Sequence, residues 1–140
     1  MTDLDYYAGL PGPSPPEHLL RAAVDVLDRA YSPYSTVQVG VAVATGSGEV
    51  HVGANIENAS YSATICAERV ALTSAVVAEG QPLTQPTIVV VGRPDLGFSP
   101  CGICRQVISE LAPDATVFYV FDHEWQASSV PELLPHGFSL

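Results

Sequence analysis

The chain has 140 residues, 47% of them hydrophobic, with a formal net charge of -10. That length fits one domain with a real core and excludes a disordered chain, while no apolar run approaches the ~20 residues that span a bilayer. All five cations are arginines (Arg21, Arg29, Arg69, Arg93 and Arg105), too few to displace counterions from a polynucleotide. The balance predicts a small uncharged partner, with neither nucleic acid nor membrane.

The N-terminus, Met1-Thr2-Asp3-Leu4-Asp5, is acidic and lacks the apolar core of an export signal. An odd count of three cysteines then suits reduced thiols and predicts a cytoplasmic protein. Residues 1–13 are rich in Pro, Gly and Tyr without periodicity. They read as a flexible arm, loose or separately docked, ahead of a single domain over 14–140.

Ser14-Pro15-Pro16-Glu17 predicts a helix start, with serine as cap and glutamate three residues later. Leu19, Leu20, Ala23, Val24, Leu27 and Ala30 follow at helical spacing, and Tyr31-Ser32-Pro33-Tyr34-Ser35 closes the element. Thr36 to Thr45 reads as a strand, turned by Gly46-Ser47-Gly48 into a hairpin partner over Glu49 to Ala54. A second helix is predicted from Ile65 to Glu79, ended by Gly80. Thr87 to Val91 is continuously apolar, as a strand covered on both faces requires. A third helix follows from Cys101 to Leu111, then a strand from Thr116 to Phe121. Helices alternating with strands in this order predict an α/β fold with a mixed sheet.

The chemistry is concentrated in two short segments, Cys66-Ala67-Glu68-Arg69 and Ser99-Pro100-Cys101-Gly102-Ile103-Cys104-Arg105. A structural zinc site is closed by four protein ligands, whereas a catalytic one keeps three and leaves a position open. With three cysteines in all, a sulfur-only site stays open. Glu68, two residues from a ligand, is placed to trade protons with water there, which points to hydrolysis. Both segments fall at predicted helix starts, where the positive helix end favours thiolate. Arg69 and Arg105 are placed to offset the negative charge of three thiolates.

Other readings remain open from the residues alone. Cys101-x-x-Cys104 also fits a dithiol redox pair, which would leave Cys66 and Glu68 idle. Cys66 also fits an inert core residue, and Glu68 an exposed carboxylate favoured by the first turn of a helix. His18, His51, His123 and His136 stand in no ligand spacing.

From about Tyr31 to Phe138 the chain resembles the small homotetrameric zinc-dependent cytidine deaminases. The resemblance rests on Tyr31-Ser32-Pro33-Tyr34-Ser35, Val39-Gly40, Asn55-Ile56-Glu57-Asn58-Ala59, the two cysteine segments with Gln106-Val107, and Glu132-Leu133-Leu134-Pro135. Zinc deaminases carry a glutamate beside the first ligand and a Pro-Cys-x-x-Cys segment for the others; here the first ligand is cysteine. The resemblance implies a three-layer α/β/α domain with a mixed five-stranded sheet. It further implies zinc held by Cys66, Cys101 and Cys104, with Glu68 as proton carrier. The expected reaction converts cytidine and deoxycytidine to uridine and deoxyuridine with release of ammonia, in pyrimidine salvage.

By the same resemblance Asn55 and Glu57 would bind ribose, and the Ala67 backbone and Ser99 carbonyl would face the base. Phe138 would reach a neighbouring subunit's site. Asn55 and Glu57 also fit a purely structural role at a turn and strand end. One departure stands out: relatives place an aromatic and then proline before Val-Gly, where this chain has Val37-Gln38. A smaller wall at Val37 keeps open a second substrate class, another aminopyrimidine nucleoside such as a blasticidin-type antibiotic.

Overall fold

A computed structural model of the chain describes residues 1–93 and 97–140. Side chains alternate across a strand, and this sorts the core into two layers. In β1 (Gln38–Ala44), Val41 and Val43 enter one buried cluster while Ala42 enters the other. In β3 (Thr87–Arg93), Ile88 and Val90 join the first cluster while Val89 and Val91 join the second. A strand apolar on both faces has to sit in the middle of a covered sheet. With β2 (Val50–Ala54), β4 (Thr116–Phe121) and β5 (Glu124–Ser129), the strand order is β2-β1-β3-β4-β5. Only β3 and β4 run parallel, in the register Thr87↔Thr116, and the remaining neighbours pair antiparallel. The mixed five-stranded sheet expected from the sequence is the one observed.

Helix α3 (Ala67–Glu79), α4 (Gly102–Leu111) and the short α5 (Val130–Leu133) cover the first face. Ala67, Ala71, Leu72, Ala75, Ile108, Val130 and Leu133 are buried there over Val41, Val43, Ile88, Val90 and Val117. Helix α2 (Glu17–Asp25) and a following 3-10 turn cover the other face through Leu19, Leu20, Ala23 and Leu27. Two glycines let the helices lie this close. A Cβ at Gly53 would stand 2.5 Å from Ala67 O and Ala71 N, and one at Gly40 would stand 2.2 Å from Ala23 O.

Two sequence expectations change here, and one element is added. Helix α2 starts at Glu17 with Pro16 as its cap residue and no side-chain cap bond, so Ser14 does not cap it. A residue before proline is pushed out of helical geometry, and Pro15-Pro16 delays the start. Residues 1–13 are not a loose arm: they contain helix α1 (Asp3–Ala8), begun by a reciprocal Thr2–Asp5 capping box. Tyr7 of α1 is 2% exposed. Its hydroxyl bonds both Gly92 O and Gly92 N, beyond the stretch where β3 pairs with β4. Trp125 Nε1 donates to Tyr7 O at 2.9 Å, and Trp125 N donates to Pro11 O at 2.8 Å. Arg93 Nε bonds Asp3 at 3.0 Å while its Nη1 reaches Asp28 at 2.8 Å. The arm is therefore stitched to the second face. Finally, β5 has no alternating apolar signature; its pairing with β4 and the burial of Trp125 and Ser128 place it at the sheet edge.

Candidate metal and active site

Two helix starts meet at the first face of the sheet. Cys66 is the cap residue of α3 and Cys101 the cap residue of α4, whose thiol accepts from Cys104 N at 3.5 Å. Cys104 lies one turn inside α4 and is buried. The three Sγ atoms all lie within 4.8 Å of one another, with Cys66 and Cys101 sulfurs 3.8 Å apart. Tetrahedral zinc–sulfur bonds of about 2.3 Å place two sulfurs about 3.8 Å apart. The donor set and its spacing therefore fit zinc.

The electrostatics favour a cation at the same place. A hydrogen bond from Cys104, helped by the Arg69 guanidinium, brings the Cys66 thiol down to about 5. Cys104 moves the other way, because its proton is shared with the Cys66 thiolate and because it is buried. Arg69 Nη2 donates to Thr64 O at 3.2 Å and to Cys66 Sγ at 3.7 Å. Its Nε is buried without a hydrogen-bond partner among the described residues.

Glu68 is 4% exposed, so the reading of an exposed first-turn carboxylate does not apply. Burial pushes its carboxyl up to about 7, and the neighbouring Cys66 charge adds to that rise. The Cys104 thiol lies 3.7 Å from Glu68 Oε2. A carboxyl balanced near neutrality beside a metal site is suited to taking a proton and returning it. The site thus sets three thiols that could hold a metal ion against a buried carboxyl.

A cavity of about 220 Å³ opens onto this group, lined by Val39, Asn55, Thr64, Cys66, Ala67, Glu68, Phe98, Ser99 and Cys101. A second hollow of about 320 Å³, lined by Tyr34, Ser35, Glu57, Tyr61 and Thr64, shares Thr64 with it. The structure thus brings Cys66, Cys101, Cys104, Glu68, Ala67, Ser99 and Asn55 together, with Glu57 next door. Asn55 brackets the start of β1, accepting from Val39 N at 2.8 Å and donating to Val37 O at 2.9 Å. Glu57 Oε1 accepts from Tyr34 N at 3.0 Å and Ser35 N at 3.1 Å, and donors from Ser35 hold its carboxyl below the ordinary range. Both residues hold the 34–39 segment as well as facing the hollows.

Val37, Arg105 and Phe138 stand outside this group within the chain, as Phe138 was expected to. Val37 is half-buried but is not among the described residues lining either hollow; its backbone is engaged by Asn55 and Ser35. Arg105 bonds no sulfur in its described contacts. It donates from Nε to Pro100 O and from Nη1 to Leu133 O, both at 2.7 Å, clamping the cysteine loop to α5. Phe138 is 68% exposed and borders a separate hollow with Gln106, Val107 and Glu110. The sequence motifs passed over Phe98 and Thr64, and Val39 stood in a motif without being assigned to the site. Phe98 and Thr64 each lie within two residues of a motif residue, and that proximity was the available signal.

A further cluster, Glu49, His51 and Glu79, also brings ligand-type atoms within 4.8 Å. Its groups already satisfy one another: Glu79 accepts from Thr45 Oγ1 at 2.7 Å, and His51 Nε2 lies 2.5 Å from Glu79 Oε2. Among the described residues no helix is long and apolar enough to cross a membrane.

Comparison with known proteins agrees with this geometry. Residues 13–120 match the family described as "Cytidine and deoxycytidylate deaminase zinc-binding region". A curated cytidine deaminase from Halalkalibacterium halodurans is 44% identical over 123 residues, covering 86% of this chain and 92% of the relative. A blasticidin-S deaminase from Bacillus cereus is 37% identical over 105 residues, covering 69% and 74%. The crystal structure of a cytidine deaminase from Burkholderia pseudomallei superposes with a TM-score of 0.78 at 41% identity, covering 86% of this chain and 97% of that one. A three-thiol cluster at two helix starts, a buried glutamate against it and this match lead to one assignment. The chain belongs to the zinc-binding cytidine and deoxycytidylate deaminase family.

Proposed function

We propose that this protein deaminates cytidine and deoxycytidine to uridine and deoxyuridine, with zinc held by Cys66, Cys101 and Cys104 and Glu68 as the proton carrier. The observation that carries the reading is the buried Glu68 carboxyl, set against three thiols at the floor of a cavity beside a second hollow. Bound in the trio, zinc would supply Lewis acidity, the means by which such sites bring the pKa of water towards ~7.

The remaining work falls to side chains of the chain. Glu68 takes a proton from the attacking water at its carboxylate oxygen and delivers it to the ring nitrogen next to C4. Addition of water oxygen at C4 gives a tetrahedral carbon. The carboxylate then takes the remaining proton of the hydroxyl added at C4 and hands it to the amino group; the C4–N bond breaks as the C4=O bond forms, and ammonia leaves. Water plus the amino nucleoside becomes ammonia plus the oxo nucleoside, and Glu68 ends as it began. Burial serves this cycle because a carboxyl near 7 exists in both forms at neutral pH. Ala67 and Ser99 line the base cavity, and Asn55 and Glu57 position the ribose end beside the second hollow.

The wider setting in the proposal is pyrimidine salvage in the cytoplasm by a homotetramer. Exposed Tyr31, Tyr34, Ile56, Tyr61 and Ile65 support packing between copies, since Tyr34 and Tyr61 line the second hollow. Phe138, exposed and away from its own chain's cavity, is available to a neighbour's site.

The test is ammonia release by the zinc-loaded protein from cytidine, deoxycytidine, cytosine and blasticidin-type nucleosides. Turnover of the first two is expected. Silence on both with zinc bound, and turnover of the blasticidin-type compound, would move the assignment to that class.

A further inference from the structure

The cavity beside the thiols has an aromatic wall that no motif announces. Phe98 sits on the segment leading from β3 to the Cys101 cap, directly before Ser99 and Pro100. It is half-buried, packs against the α3/α4 core cluster and lines the cavity together with Glu68, Ala67, Ser99 and Cys101. Phe98 stands in the lining, whereas Val37, the residue expected to form the apolar wall, lies outside the described lining. The carbonyl expected to face the base belongs to the residue right after it.

We propose that Phe98 is a substrate-binding and specificity-determining residue whose ring packs against the pyrimidine, supplying from the β3–α4 segment the aromatic contact missing at position 37. The inference deepens the proposed function and rests on it. Two features of the site support it. The described lining of the cavity contains no other aromatic residue, and apart from Phe98 its apolar side chains are Val39 and Ala67. A flat heteroaromatic ring gains most from a face that is itself aromatic, and base–aromatic contacts are lost on substitution by alanine at a cost of roughly ten- to hundred-fold in affinity. A ring held near the thiols also screens the reacting carbon from bulk water. Selection would therefore favour planar pyrimidines over saturated analogues such as dihydrocytidine.

Phe98→Leu keeps apolar volume against the core and removes the π-face, Phe98→Tyr restores the face, and Phe98→Ala removes both. With zinc content and thermal midpoint measured alongside, the leucine variant is expected to raise KM for cytidine about ten-fold, with kcat changed far less. The tyrosine variant should return KM to within about two-fold of the parent. Calorimetric titration of uridine reads the same contact without turnover, and Kd should rise in parallel with KM. KM and Kd unchanged in both the leucine and alanine variants would overturn the inference. So would a larger KM rise in Val37→Ala than in Phe98→Leu. A parent that binds uridine but turns over no cytidine counts against the proposed reaction alone, and the Kd series then still decides Phe98. A parent that binds neither nucleoside overturns both.

Discussion

Helix α3 carries a carboxylate near each end, and the two are treated in opposite ways. The helix dipole favours negative charge at the N-terminal end and opposes it at the C-terminal end. On that ground Glu68, in the first turn, should be the more acidic and Glu79, the last residue, the less. The reverse holds. Burial lifts Glu68 to about 7, overriding its helix-end advantage. Hydrogen bonds from Ser47 and Thr45, with His51 beside them, pull Glu79 below its ordinary 4.5 despite the unfavourable end. Partial charges at a helix end shift a group modestly, whereas desolvation and direct donors act over larger ranges. One helix thus supplies a carboxyl that can exchange protons at neutral pH and another that stays ionised and holds structure.

The comparison is broken most completely at the metal. Cys101→Ala removes one thiol of the trio and the cap of α4 together. Zinc should be lost, turnover should fall to background, and the thermal midpoint should drop, since metal binding and folding are linked. Metal content by atomic emission and a melting curve check this. Retention of stoichiometric zinc in that variant would remove Cys101 from the ligand set.

Glu68→Gln leaves the volume and the thiols in place and removes only the proton carrier. General acid–base contributions run to ~10²–10⁴-fold, and a carboxyl used as both base and acid should lose turnover at the upper end of that range or beyond. Zinc content should be unchanged, which separates this variant from the previous one. The same change at the other end, Glu79→Gln, should leave turnover within a few-fold of the parent.

On the opposite face of the sheet the expected effects are structural. Tyr7→Ala removes a buried ring whose hydroxyl bonds both polar groups of Gly92. Large-to-small aromatic changes in cores cost about 3–5 kcal/mol, while Tyr7→Phe should cost about 1–3 kcal/mol by leaving the Gly92 groups unpaired. Denaturant melts check both. Equal stability of all three proteins would mean that the arm is not part of the cooperative core.

How legible this was follows from the residues. The meeting of Cys66, Glu68, Cys101 and Cys104 was readable because ligand chemistry needs particular atoms at particular spacings, and helix starts are signalled locally. β1, β3 and β4 were readable from apolar patterning. Helix α1 was not, since its support comes from Trp125 and Gly92, 118 and 85 residues away from Tyr7. Arg105 looked like a sulfur partner because it follows a ligand, but its reach across the helix start finds Pro100 O and Leu133 O instead. Val37 was chosen by position in a motif. Which side chain faces a cavity depends on the path of two chain segments at once, and single-segment reading cannot supply that.

The smallest expected effect sharpens the opening contrast best. Glu79 has a folded-state pKa below its ordinary 4.5, so folding favours its charged form. Its contribution to stability is therefore complete above 4.5 and is lost as pH falls through the lowered folded value. The groups facing it are Thr45 and Ser47 as hydroxyl donors and His51 Nε2 at 2.5 Å, with Glu49 3.7 Å from the same histidine nitrogen. Glu79→Gln should lower the thermal midpoint at neutral pH, and the gap between variant and parent should close as the solution is acidified below that range. A constant gap across the range would assign the loss to packing rather than charge, and the two ends of α3 would then differ in burial alone.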